Sequence, residues 1–593
     1  MKKLLVFLMA ATVVNAFAQQ APPPQIPDGY WPEAKSKEIL DKTITIRLAP
    51  DLSRLTPEEQ AGLKELLEAG AIMQKLYEQQ RHHQALTSFE ALRNLDARLG
   101  SPARTKNLRT LYRLFQGPIA TTLDNKREPF LPVSPQLPGK NVYPTDVTRA
   151  QLDAFLTAHP ELRESILADR TVVRRETKSN LSLDINALQL YPIMRTMHPY
   201  YLEGLRSRQL AADGTNFYGL PYTLAYADDM IGVYNHLVEA ARAFDESDPE
   251  FARYIRNRSR DFLSNDYESG DASWVTGHFK RFNMQLGAYE TYDDALYGVK
   301  AFHGMSLLLA NEKATDELRK ALGGLQAIED ALPYDNHKRM REDIPVGVYE
   351  VIADFGQARG TNTATILPND PLFSRRYGRT IMLRENIMKH PDLVAADQRI
   401  WRAVVADAQA NDLDPEGNVQ RTLWHEIGHY LGADRDKQGR ALDAALLDYA
   451  DSIEEMKADL VSLFALQKMN HPSLRAIQAA GIRRTLLNVQ PRPDQAYQTM
   501  ELIQFNWFLD KGLLTADPKS GRLTINYDRY PETVTSLLRE VLKLQHEGDK
   551  DAAAAFFKRW TAWKPDVHEK LAARIRSAEG PRFRLVTYAV LGE

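Results

Sequence analysis

Residues 419–432 read Val-Gln-Arg-Thr-Leu-Trp-His-Glu-Ile-Gly-His-Tyr-Leu-Gly, and the second half of the chain is best read outward from here. Val419, Leu423, Ile427 and Leu431 recur at the spacing of one helix face, and Gly432 offers a stop. On such a helix His425 and His429 lie about one turn apart, so both imidazoles leave from the same side. Zinc takes imidazole nitrogen at about 2.0–2.1 Å and, in catalytic sites, uses three protein ligands with a fourth position open. Glu426 follows the first His, where its carboxylate could take a proton from water at the metal. The plain alternative is a pair of half-buried helix histidines beside a solvated charge. The motif favours a zinc-dependent hydrolase, and it needs a third ligand from elsewhere.

Residues 452–459, Ser-Ile-Glu-Glu-Met-Lys-Ala-Asp, offer one. Ser452 with Glu455 has the form of a capping box, in which the hydroxyl caps the helix and the carboxylate reaches back. That reading accounts for Glu455 without any metal. It does not account for Glu455 and Asp459 repeating at four residues beside an apolar stripe of Met456, Leu460, Leu463 and Phe464. Carboxylates so placed suit one ligand plus acceptors that orient the zinc histidines. From these residues alone both readings of Glu455 stay open.

Together the two stretches resemble the dipeptidyl peptidase III family of zinc exopeptidases. That family carries a His-Glu zinc motif followed by Glu-Glu-x-Arg/Lys-Ala-Glu/Asp. The resemblance makes Glu455 the third ligand of a single zinc per chain and puts Glu454 and Asp459 behind the histidines. It extends to Phe217-Tyr-Gly-Leu-Pro-Tyr222, Tyr289-Glu-Thr-Tyr-Asp-Asp294, Leu367-Pro-Asn-Asp370 and Gln504-Phe-Asn506. The chain is most similar to the branch shared by bacterial members and the peptidase module of plant nudix-fused proteins. By the same resemblance Glu290 binds the free amino terminus of a short peptide, Asn369 contacts that end, and Tyr292 donates its hydroxyl to the scissile carbonyl oxygen. The implied reaction is release of N-terminal dipeptides. A zinc endopeptidase, an aminopeptidase, or a catalytically weak peptide-binding protein are the alternatives.

Four departures stand out. Most members have one more residue before the second His, whereas this chain has the pentapeptide, whose i, i+4 spacing suffices for zinc. Met456 replaces the usual Cys of the second motif. Tyr497 stands where the family often has a His that stabilises the transition state; a phenol can still donate a hydrogen bond. A family Asn three residues before Asn369 falls on Ile366.

Length and composition fit a large globular enzyme. At 593 residues the chain exceeds one ordinary domain, and 44% hydrophobic with 26% charged residues is an average balance. Net charge is −3, or −5 (73 basic against 78 acidic) once Lys2 and Lys3 leave with residues 1–18. No basic footprint of a nucleic-acid binder is present. Met1-Lys-Lys3, the apolar run Leu4 to Val14 and Ala16-Phe-Ala18 form a signal peptide pattern, too short for a bilayer-spanning helix. The expected address is the periplasm or the medium, without stable membrane insertion. With no Cys there are no disulfides and no thiol nucleophile.

Residues 19–35, with Pro22-Pro-Pro24 and Pro27, read as an extended lead-in. Thr56-Pro57 with Glu59, and Thr148 with Gln151, read as helix starts, joined through a Pro-rich surface crossing from Pro129 to Pro144. Strand patterns occupy Ile344–Phe355, Thr363–Leu367 and Thr380–Leu383. The expected fold is α+β and mostly helical, with two lobes separated by a cleft. The resemblance implies a helical zinc-bearing lobe facing a mixed lobe with a small β-barrel-like core. The boundaries read as a mixed lobe over 36–310, a helical-lobe segment over 311–344, the β core over 345–395, the zinc lobe over 396–574 and a return to the mixed lobe over 575–593.

Overall fold

The structure, a computed structural model, describes residues 25–124, 126–335, 337–340, 345–368, 371–440, 442–446, 449–491 and 495–593. The signal peptide reading lies outside these residues, as does Asn369. Helices dominate, and the strands gather into one five-stranded sheet and four two-stranded ones.

The first and last strands, β1 (Thr43–Leu48) and β7 (Phe583–Tyr588), pair in parallel from Thr43↔Phe583 to Leu48↔Tyr588. Between them in sequence comes α1 (Pro57–Arg81), opened by the capping box. Thr56 Oγ1 accepts from the Glu59 N–H at 3.2 Å, and the Glu59 carboxylate accepts from the Thr56 N–H at 2.9 Å. α1 packs on α2 (Ala227–Phe244), which packs in turn on α3 (Pro249–Ser264). Gly62 permits the first contact, since a Cβ there would lie 2.4 Å from the Phe244 ring.

The large sheet runs β2 (Phe282–Ala288), β3 (His303–Ala310), β4 (Val346–Gly356), β6 (Thr380–Arg384), β5 (Ala364–Leu367). Its pairs are antiparallel except β4 with β6, which is parallel. No pair closes it into a barrel among the described residues; β1 and β7 form a separate ladder at its side, where the Tyr588 hydroxyl donates to Asp354 at 3.1 Å. Because side chains alternate along a strand, β6 serves two cores: Met382 joins the mixed-lobe core, Ile381 and Leu383 the helical-lobe core. β5 is an edge strand, and that edge matters for the site.

The helical lobe is built around α5 (Ala450–Lys468), which touches α4 (Pro415–Gly428), α6 (Leu474–Arg484), α7 (Ala496–Asp510) and α8 (Tyr530–Glu547). Residues 456–466 of α5 are all buried, the mark of a central helix. A small hairpin, Leu514–Ala516 with Leu523–Ile525, interrupts the helices. No described helix is long and apolar enough to cross a membrane.

Four local expectations are corrected. α4 ends at Gly428, not at Gly432; residues 429–431 tighten through 3₁₀-type bonds, Tyr430 N–H to Ile427 O and Leu431 N–H to Gly428 O, before Gly432 turns at φ +84°. α5 opens at Ala450, so Ser452 lies inside the helix and its hydroxyl reaches the Ala496 carbonyl at 3.2 Å; no capping box forms at Glu455. The Pro-rich crossing is partly core, with Phe130, Leu131, Val142 and Tyr143 buried, and two more helices precede it. β2 and β3 were not among the expected strands: β3 is buried over His303–Leu308 and reads as an apolar run, His303 and Ser306 apart, that periodicity cannot assign.

Candidate metal centre and cleft

α4 starts with Asp414 as N-cap, whose carboxylate accepts from the Glu416 N–H at 2.9 Å, and Pro415 at the first helical position. The apolar face read from the sequence is buried: Val419, Leu423, Ile427 and Leu431 all face the core. Where α4 crosses α5, a Cβ on Gly428 would lie 2.7 Å from the Ala458 carbonyl oxygen. Only glycine allows that approach, and it brings His429 against residues 454 and 455, one turn earlier on α5.

The result is a compact donor set. His425, His429 and Glu455 each offer one ligand atom, all within 4.8 Å of one another. Glu455 Oε2 lies 3.2 Å from His425 Nε2 and 3.9 Å from His429 Nε2. Among the described residues that oxygen is buried and makes no hydrogen bond, its nearest cationic neighbour being the His425 imidazole when protonated. A buried carboxylate oxygen left bare costs free energy unless something positive meets it. Ligands at about 2 Å around a tetrahedral ion sit roughly 3.3 Å apart, close to the spacing found. The donor set fits a divalent metal.

Each donor is held from behind. His425 Nδ1 meets Asp459 Oδ1 at 2.7 Å, and His429 Nδ1 meets Glu454 Oε1 at 2.9 Å, which leaves both Nε2 atoms for the metal. Tyr497 donates to Glu455 Oε1 at 3.0 Å. Asp459 also accepts from Arg421 at 2.8 Å and Gln504 at 3.4 Å, and Glu454 from Gln545 at 2.9 Å. Lys457 lies 2.7 Å from Glu454 and donates at 2.9 Å to the carbonyls of Gly428 and Leu431, closing the end of α4. Arg421, Lys457, Gln504 and Gln545 were missed as site residues. Arg421 was legible, four residues before His425 on the same helix face; Gln545, on α8, had no local signal.

The charges respond as this arrangement requires. Burial opposes protonation of His425, but Asp459, Glu455 and Glu426 outweigh it and raise its pKa to about 9 in the metal-free site. Burial likewise opposes ionisation of Glu454, yet Lys457 and His429 hold its pKa at about 2. Asp459 is held far below the usual carboxylate range against its burial by His425 and Arg421. Glu426 is half-buried and makes no hydrogen bond or ion pair among the described residues, so its carboxylate is available.

The second group lies on the mixed lobe. β2 runs into Tyr289, whose hydroxyl donates to Asp271 at 2.6 Å and accepts from Arg258 at 2.7 Å. Further on, Asp293 accepts from Tyr77 and Gln357, both at 2.9 Å, and Asp294 gathers the Tyr143 hydroxyl and four backbone N–H groups. This anchored loop projects Tyr292 outward, 68% exposed. Among the described residues the Glu290 carboxylate has no charged partner, and burial raises its pKa. A cavity of about 300 Å³ is lined by Glu290, Tyr292, Thr365, Arg384 and, from the helical lobe, Tyr497. Tyr497 therefore joins the two groups; no contact links Tyr292 directly to His425, His429 or Glu455 among the described residues.

This fold is found in solved structures. The chain superposes on dipeptidyl peptidase III from Caldithrix abyssi with a TM-score of 0.78 and 25% identity, over 94% of this chain and 99% of that one. With dipeptidyl-peptidase III from Corallococcus sp. strain EGB the TM-score is 0.73 at 22% identity, over 95% and 98% of the two chains. The fold is that of these dipeptidyl peptidase III structures, to which the chain is similar over nearly its whole length. It is also 22% identical over 441 residues to Nudix hydrolase 3 of Arabidopsis thaliana, a match over 71% of this chain and 54% of that protein. The chain thus spans about half the length of that curated relative. No family model matches the chain.

Proposed function

We propose that the protein is a zinc-dependent exopeptidase that releases N-terminal dipeptides from short peptides, with one zinc per chain. The observation that carries this is the bare Oε2 of Glu455 set between the Nε2 atoms of His425 and His429. Two imidazoles and a carboxylate are a donor set that zinc takes in hydrolytic enzymes. Zinc held there supplies a Lewis acid and brings the pKa of water to about 7.

The chain's own residues do the rest. Glu426, beside the ligands and free of partners, takes the proton of the attacking water and returns it to the leaving amine. Tyr292 donates its hydroxyl to the carbonyl oxygen as charge develops, a role worth roughly 3–4 kcal/mol per donor in characterised sites. Glu290, partly desolvated and without a charged partner among the described residues, receives the peptide's ammonium group, which fixes the cut a set distance from the amino terminus. The outer edge of β5 offers main-chain hydrogen bonds to an extended peptide, giving affinity without side-chain preference. Since Tyr292 and the metal group stand on different lobes and do not touch, closing of the cleft brings them to one carbonyl and excludes water.

The test is metal content. Wild-type protein dialysed against trace zinc should hold one equivalent by mass spectrometry of the metal, and Glu455→Ala should hold far less with its helix content unchanged. Full occupancy in that variant would overturn the assignment.

A further inference from the structure

Two of the three donors have a carboxylate behind them; the third has a phenol. We propose that Tyr497 is a positioning residue for Glu455: its hydroxyl fixes Oε1, so that Oε2 alone faces the metal. This rests on the metal site proposed above and gives Tyr497 a role other than the substrate contact expected from the sequence.

Three observations converge. The Tyr497 hydroxyl donates to Oε1 at 3.0 Å, while Oε2 of the same carboxylate is the buried oxygen without a partner. A carboxylate with one oxygen engaged and one bare cannot rotate to chelate through both without breaking that bond, so the hydrogen bond selects one-oxygen ligation. That keeps the coordination at three protein atoms and leaves room for water. The ring is also held in place. Arg484 lies over it at 5.8 Å and pairs with Glu501 at 3.2 Å, one turn along α7 from Tyr497. The phenol thus sits on a braced support rather than swinging freely from the helix start, although the side chain is 50% exposed to the cleft. With it, all three donors have an outer partner: Asp459 for His425, Glu454 for His429 and Tyr497 for Glu455.

Outer partners of metal ligands matter to metal affinity by about 10–100-fold. Tyr497→Phe keeps the ring and its contact with Arg484 and removes only the hydroxyl. The experiment follows zinc release from loaded wild type, Tyr497→Phe and Glu290→Gln into excess chelator by a colorimetric zinc indicator, with circular dichroism as the control for folding. Release should be roughly 10–100-fold faster in Tyr497→Phe and unchanged in Glu290→Gln, which lines the same cavity but touches no ligand. Release within twofold of wild type in Tyr497→Phe would overturn the proposal, even if peptide turnover fell, because that pattern belongs to a substrate contact. Wild-type protein that holds no zinc would instead overturn the metal site itself, so the two failures are distinct.

Discussion

Replacing Asp459 with Asn probes the ion-pair chain behind the metal. In the metal-free protein His425 titrates at about 9 instead of 6.5. Burial works against its charge, so the elevation depends on Asp459 first and on Glu455 and Glu426 after it. A folded-state pKa raised by that much contributes about 3 kcal/mol, fully present below the unfolded value and lost as pH rises through the folded one. Metal-free wild type should therefore lose about 3 kcal/mol of stability between pH 6.5 and 9 from this pair. Asp459→Asn should flatten most of that slope. It should also be less stable at pH 6.5 by about 3–5 kcal/mol, because Arg421 loses its buried carboxylate 2.8 Å away. With zinc present, the variant should bind metal about 10–100-fold more weakly, since Asp459 no longer holds the His425 Nδ1 proton. Urea unfolding of chelator-treated protein at pH 6.5, 7.5 and 9 reads the first two effects, and zinc titration against a competing chelator reads the third. An unaltered pH slope with zinc affinity within twofold of wild type would refute the chain from Arg421 through Asp459 to His425.

Apparent zinc affinity of wild type should rise about tenfold per pH unit up to about 9, then level off, because metal must displace the His425 proton; competition titrations from pH 6.5 to 10 check this. Glu426→Gln should lower kcat by a factor on the order of 10² or more while zinc content stays at wild-type level, measured by steady-state kinetics on a short peptide. Glu290→Gln should raise KM for a free peptide by roughly tenfold or more, and N-acetylation of the peptide should abolish most of the difference between variant and wild type. Gly428→Ala forces α4 away from the Ala458 carbonyl, so the protein should lose roughly 1–3 kcal/mol and bind zinc more weakly, read by thermal unfolding and zinc titration.

The candidate donor set was legible because its residues come from two short helical segments whose spacing is fixed by the helix turn. His425 and His429 need only 3.6-residue periodicity, whereas the repeat of Glu455 with Asp459 left its role open until the resemblance of the paired motifs pointed to it. The outer partners were legible only where they share those segments. Gln545 reaches Glu454 from a helix about 90 residues later, and no local pattern announces such a contact. Strand β6, Thr-Ile-Met-Leu-Arg, showed as a short apolar run with a β-branched start, whereas β3 hid as a buried apolar run with no period; β2 alternates from Phe282 to Leu286, a signal that was present and went unread. Helix ends were the least legible. Gly432 has the left-handed conformation expected of a stop, but the close crossing at Gly428 and the capping by Lys457 end α4 a turn earlier. Ser452 and Glu455 have capping chemistry, but tertiary packing starts α5 two residues before Ser452 and turns that carboxylate towards the histidines.

The central claim is a zinc-dependent cut two residues from a free amino terminus, and one digest tests it. Purified protein is incubated with a defined hexapeptide, with and without chelator, and the products are identified by mass spectrometry. The account predicts the N-terminal dipeptide and the complementary tetrapeptide first, a second dipeptide later, and no product after chelation until zinc is restored. Release of single residues, internal cleavage of an acetylated hexapeptide, or full activity in chelator would contradict it.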